Sequence, residues 1–153
     1  MSKSMERYFF EIKASPPTEG ELRKNFLTSP LLVKDDCIFF EHLLKPDAAT
    51  RLNFHQYGDR TGCEASVNGF HIVDFCGESS NVLAIAYGFL QEFVEFWRNQ
   101  FDEGCIIYFG VIPEEEEFGP DVTFTFHKKR IGENWMDLKK IKTATDAIMT
   151  IEI

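Results

Sequence analysis

Between residues 80 and 101 the chain carries a broad apolar stripe at helical spacing, and no charged side chain falls between Asn81 and Leu90. Val82, Ile85, Ala86, Phe89, Phe93 and Trp97 recur three or four positions apart, and Leu83, Leu90 and Val94 widen the stripe. A helix that is apolar over so wide an arc must be covered on most sides, at least through its first half. Ser79 or Ser80 is placed to cap its start, and Glu78 to complement the positive end of its dipole. Such a helix needs a sheet to lie on, because most helical stability comes from packing an apolar face.

The rest of the chain supplies strand-like segments. Residues 8–12 read as a first strand, closed by Pro16 and Pro17. Thr18 and Glu21 have the spacing of a capping box, which predicts a short helix carrying Leu22, Phe26 and Leu27 and ending before Pro30. Strands are expected over 37–44 and 51–57, followed by a turn at 58–62. Residues 64–68 and 70–75 read as two strands, or one bulged strand, around Gly69. The nearly continuous apolar run 105–112 suits a central strand. Residues 121–127 alternate, with Val122, Phe124 and Phe126 on one face and Thr123, Thr125 and His127 on the other, as in a half-buried antiparallel strand. Residues 135–141 and 147–153 read as two more. Short connections favour antiparallel pairing. The expectation is an α+β fold in which a mostly antiparallel sheet packs against one long buried helix plus a short N-terminal helix. Residues 1–153 form one domain, and much of the core comes from the sixteen Phe residues.

Composition narrows the functional classes. The longest apolar stretch, 82–90, is far short of the roughly 20 residues that cross a bilayer. Residues 1–7 carry neither an apolar core nor a small-residue cleavage site, so a cytoplasmic protein is expected. Cys37, Cys63, Cys76 and Cys105 form no CxxC pair and sit in or beside apolar runs, as buried free thiols would. His42, His55, His71 and His127 each fall in a strand-like segment. Neighbouring strands could gather two or three of them, with Asp74 adding a carboxylate beside His71. No HxH or HxxxH spacing accompanies them, so no metal site is expected. There is no GxSxG elbow, P-loop or GxGxxG, and the polar loop 58–62 reads as a plain turn. Neither catalytic residues nor a cofactor are expected. Lys128, Lys129 and Arg130 make one basic cluster, too small on a chain of net charge −9 for a nucleic-acid footprint.

The charge distribution is more informative. Residues 77–127 hold ten acidic side chains against one basic residue, Arg98. Asp102 and Glu103 follow the long helix, where its dipole disfavours them. Glu114, Glu115, Glu116 and Glu117 then run consecutively before Phe118 and Asp121. Such a run either blunts the edge of a sheet or docks a basic partner. On the second reading these eight residues form one acidic surface with Phe118 as its apolar anchor. In this acidity, and in the absence of catalytic motifs, the chain resembles the bacterial immunity proteins of contact-dependent growth inhibition and related polymorphic toxin systems. That resemblance implies a cognate toxin as partner, a basic nuclease domain, blocked by carboxylates that imitate nucleic-acid phosphate. From the charge balance and the shortness of the apolar stretches, neither nucleic acid nor a membrane is expected as a partner. The alternative is a small-molecule-binding or enzymatic domain with a pocket lined by Phe and His.

The helix over 80–101 generates a direct test. Placing a charge in its apolar stripe with Phe89→Asp should abolish the cooperative thermal transition followed by circular dichroism. A retained transition would mean that the element is misassigned.

Overall fold

The computed structural model describes residues 20–44, 52, 54–77, 81–112, 119–141 and 147–153. Helix α1 spans Gly20–Phe26 and is followed by strands β1 (Leu32–Lys34) and β2 (Cys37–Phe39), then a 3-10 turn at Glu41–Leu43. Helices α2 (Phe54–Tyr57) and α3 (Arg60–Val67) lead into the two-residue strand β3 (Phe70–His71) and a second 3-10 turn, Ile72–Phe75. Helix α4 (Val82–Arg98), strands β4 (Cys105–Ile112) and β5 (Asp121–Lys128), helix α5 (Leu138–Ile141) and strand β6 (Ala147–Glu152) complete the order. The fold is α+β. Its main sheet runs β3-β5-β4-β6 with every pair antiparallel, and β1 and β2 form a separate hairpin.

Helix α4 begins one residue after Asn81, whose side chain accepts a hydrogen bond from the Ala84 N–H at 3.1 Å. No residue between Val82 and Leu90 is exposed, which agrees with the charge-free sequence there. Phe89 and Phe93 meet Phe124 edge-on, with ring centroids 5.0 and 5.1 Å away, and Trp97 meets Phe126 at 5.5 Å. The Trp97 indole N–H donates to the Glu103 carbonyl at 2.7 Å, so the ring's polar edge is satisfied. Ile107 and Phe109 of β4 and Met149 of β6 complete this apolar layer, while Phe26 of α1 stacks on Phe70 of β3 at 4.0 Å. Leu22 and Phe26 are buried as the α1 stripe predicts.

Several expected strands are helical instead. Residues 54–57 form α2 rather than part of a strand, and 60–67 form α3 rather than a turn and a strand. Asp59 caps α3 by accepting from the Gly62 N–H at 2.7 Å. A side chain at position 62 would collide with the Tyr57 carbonyl oxygen, so glycine is required there. The expected strand 37–44 ends at Phe39. The expected strand 70–75 is two residues long before it tightens into a 3-10 turn, and 135–141 contains α5. The expected strand 8–12, the Thr18 cap and the Ser79 or Ser80 cap lie outside the described residues.

Strand β5 is buried on both faces rather than one. Phe124 and Phe126 face α4, while Thr125 and His127 are buried on the opposite side. There the Thr125 hydroxyl donates to the Ala65 carbonyl of α3 at 2.5 Å. Two polar side chains one helical turn apart on α3 then join β2 to β5, which share no sheet. Glu64, 0% exposed, accepts from the Ile38 N–H through Oε1 at 2.6 Å and from the Lys128 N–H through Oε2 at 3.1 Å. Asn68 accepts from the Phe40 N–H at 2.9 Å and donates to the carbonyls of Ile38 at 2.9 Å and Phe126 at 3.3 Å. These contacts satisfy backbone groups that would otherwise be buried without partners.

The Glu64 carboxylate also meets Arg130 Nη1 at 2.5 Å. Burial pushes the Glu64 pKa up, and the Arg130 guanidinium with the two backbone N–H groups pulls part of the way back. Arg130 Nη2 reaches on to the Asp36 carbonyl at 2.5 Å, and Arg60 Nε to the Asp35 carbonyl at 3.1 Å. Asp35 and Asp36 both have positive φ, 51° and 63°, in the tight turn between β1 and β2. Each arginine thus holds a carbonyl in a conformation that non-glycine residues seldom adopt.

Removing the Glu64 carboxylate leaves Arg130 and two backbone N–H groups without it. Glu64→Ala should therefore cost about 3–5 kcal/mol in urea denaturation, the usual range for breaking a buried ion pair. A loss below about 1 kcal/mol, the scale of an exposed pair, would refute this role.

Candidate functional site

Of the eight acidic and apolar residues expected to form one surface, the three that are described, Asp102, Glu103 and Asp121, are not brought together. Asp102 and Glu103 precede β4, whereas Asp121 pairs with Ile112 at the opposite end of that strand. Eight strand residues separate the two ends by roughly 23 Å at about 3.3 Å per residue. Asp102 is exposed. The Glu103 carboxylate lies 3.5 Å from Lys128 Nζ, which also contacts Asp36 at 2.9 Å, so Glu103 is partly neutralised. Glu114, Glu115, Glu116, Glu117 and Phe118 lie outside the described residues, in a connection whose two ends are tied by the Ile112–Asp121 pairing.

Asp121 leaves the docking set for a further reason. It is 3% exposed, and its Oδ1 accepts from the N–H groups of Val122 at 2.6 Å and Val73 at 3.2 Å. Its Oδ2 is hydrogen-bonded to His71 Nδ1. A carboxylate so engaged organises the sheet end and is withdrawn from any partner. Antiparallel pairing of β3 with β5 sets His71 opposite Thr123 and so brings Asp121 within reach. The sequence suggested Asp74 as the carboxylate for His71. Only the register of two strands 50 residues apart identifies Asp121, and local spacing carries no such signal.

The His71 side chain is 53% exposed, with Nδ1 fixed on the carboxylate. Such an imidazole can hold one further hydrogen-bonding group. Among the described residues, no three His, Cys, Asp or Glu side chains gather where they could hold a metal ion.

A second histidine pair is enclosed. His127 is fully buried, and its Nδ1 lies 2.9 Å from the Lys128 carbonyl, which can only accept. Nδ1 therefore carries the proton, and Nε2 accepts from the Tyr108 hydroxyl at 3.2 Å. Trp135 meets the Tyr108 ring edge-on at 5.1 Å. Burial lowers the His127 pKa below its ordinary value, which keeps the ring neutral. Burial likewise pushes Cys37 up to about 12 and raises Cys63 and Cys105. These thiols stay protonated and act as small apolar side chains. No helix among the described residues is long and apolar enough to cross a membrane.

The sequence profile of the Uncharacterized protein PM0498 family matches residues 1–153. Uncharacterized protein PM0498 of Pasteurella multocida (strain Pm70) is 32% identical over 120 residues, covering 75% of this chain and 73% of that protein. No solved structure matches.

The neutral His127 has a pH signature. Its pKa is depressed in the folded chain, so the unfolded chain takes up a proton first as pH falls below about 6.5. The urea midpoint should therefore drop as pH is lowered from about 7 to about 5.5, and drop less in His127→Gln. Equal declines in the two proteins would exclude His127 as the source.

Proposed function

The chain belongs to the Uncharacterized protein PM0498 family, and we propose that it is a non-catalytic binding protein that docks a basic macromolecular partner at the β4–β5 end of its sheet. One observation carries the reading. The described buried ionisable groups serve the fold itself, which leaves the consecutive run Glu114 to Glu117 as the densest charge in the sequence. Glu64 is consumed by Arg130 and backbone, Asp121 by His71 and backbone, and His127 by Tyr108 and a carbonyl. Burial likewise holds the thiols of Cys37, Cys63 and Cys105 protonated.

The acidic surplus of residues 77–127 gathers in the connection from 113 to 120, where Glu114, Glu115, Glu116 and Glu117 are consecutive. Neighbouring Cα atoms are about 3.8 Å apart, so the four carboxylates repel one another in any conformation and a cationic surface relieves that repulsion. Phe118 supplies an apolar contact beside them. The resemblance to immunity proteins of contact-dependent growth inhibition gives the partner its class: a cognate toxin, basic, with nuclease activity, met in the cytoplasm. The carboxylates would occupy the groove that otherwise holds phosphate. Asp102 and Glu103, at the other end of the sheet, have no part in this contact.

Replacing Glu114 to Glu117 with lysine should weaken binding to the partner captured from the native host at least about tenfold by calorimetry and flatten its salt dependence. Asp102→Lys should change affinity less than about threefold. If the quadruple variant bound as well as the wild type, docking through this connection would be refuted.

A further inference from the structure

At the end of the sheet where Ile112 pairs with Asp121, a half-exposed imidazole is held from behind by a buried carboxylate. His71 stands on β3 opposite Thr123, and its Nδ1 is hydrogen-bonded to Asp121 Oδ2. Asp121 is fixed in turn, because Oδ1 accepts from the Val122 N–H at 2.6 Å and the Val73 N–H at 3.2 Å. Burying a carboxylate is costly, and the two backbone donors satisfy one of its oxygens only. The other oxygen is committed to a half-exposed ring that water alone would satisfy. What that contact adds is a fixed orientation and a fixed tautomer.

A carboxylate can only accept, so Nδ1 carries the proton of the neutral His71 ring and Nε2 is left as an acceptor. His127 has both ring nitrogens engaged, whereas His71 Nε2 has no hydrogen-bond partner among the described residues. The 3-10 turn that follows adds Val73 and Asp74, both exposed. Among the described residues, no lysine or arginine pairs with Asp74 or Asp121. The patch offers a free acceptor, apolar surface and negative charge without a cation.

We infer that His71 accepts a hydrogen bond from a lysine or arginine side chain of the basic partner, with Asp121 as the positioning residue behind it; the partner's class rests on the docking reading above. The contact lies outside residues 113–120. The Asp121 charge strengthens the ring as an acceptor and favours a cation in front of it. Val73 suits the methylene stem of a long basic side chain. An anionic group would meet Asp74 and Asp121 with like charge, and an apolar one would leave Nε2 without a partner.

Ethylguanidinium is the probe and acetate the control, titrated into the full chain at about pH 8 while imidazole and amide nitrogen shifts are followed. Ethylguanidinium should move His71 Nε2 and the Val73 amide saturably in the wild type. It should do so equally in the variant combining Glu114→Lys, Glu115→Lys, Glu116→Lys and Glu117→Lys. Asp121→Asn presents an amide donor to Nδ1, so the ring proton should move to Nε2 and the response should disappear with that change of tautomer. In His71→Phe, at a half-exposed position, the affinity read at the Val73 amide should fall at least about fivefold. A wild type that does not respond, or responds equally to acetate, would overturn the inference, as would an unchanged response in Asp121→Asn and His71→Phe. A response lost in the quadruple lysine variant would assign the cation to the connection, which overturns this contact and leaves the docking reading intact.

Discussion

The fold depends on two buried polar side chains of α3 standing in for a strand. Strand β5 has β4 along one edge, but on its other edge β3 pairs only with Phe124 and Thr123. Beyond that point the Phe126 carbonyl and the Lys128 N–H would face the interior without partners. Asn68 and Glu64 take them, and with their remaining atoms take the backbone of Ile38 and Phe40. Burying a carboxylate is costly unless it is paired and hydrogen-bonded, and Glu64 has both an arginine and two N–H donors. The hairpin β1–β2 is thereby attached to the main sheet without belonging to it.

This arrangement determines what each face of the sheet contains. On the α4 side the layer is apolar and largely aromatic, with Phe89, Phe93, Phe124 and Phe126 in edge, tilted and stacked contacts of 5.0 to 6.2 Å. On the α3 side, buried hydroxyl, carboxylate, amide and imidazole groups meet backbone and one another. The α4 side supplies bulk burial, and the α3 side supplies specificity, since the hydrogen bonds of Glu64, Asn68 and Thr125 form in one register only, while Arg130 Nε stays buried without a partner. A slip of β2 along α3 by one residue would strand Glu64 and Asn68 together.

That division explains which parts of the fold were legible in the sequence. Helix α4 and strands β4, β5 and β6 bury apolar side chains at helical, continuous or alternating spacing, and their positions follow from that spacing. Helix α3 buries Thr61, Glu64 and Asn68 at spacings of three and four, which is helical periodicity written in polar residues. A search for apolar stripes passes over it, and the glycines flanking it look like turns. The Asp59 cap was the available signal, since it accepts from a backbone N–H three residues on. The His71–Asp121 pair had no local signal. Acidity was legible as a total and as a run, but sorting its members into buried, paired and free required the pairing of β4 with β5.

The basic cluster Lys128, Lys129 and Arg130 bears on where the net negative charge acts. Read along the chain, it offsets the acidity that precedes it. In space its charges are taken by particular neighbours: Lys128 by Asp36 and Glu103, Lys129 by Glu152, and Arg130 by Glu64 and Asp36. All of these lie toward the end of the sheet where β5 finishes and β4 begins. Cation and anion therefore cancel at that end, within a few ångströms. The connection leaving Ile112 starts at the other end, beyond a Debye length of about 8 Å from the cluster at physiological salt. Antiparallel pairing thus sends the basic cluster back to the start of β4, at the end of the sheet opposite Ile112 and Asp121.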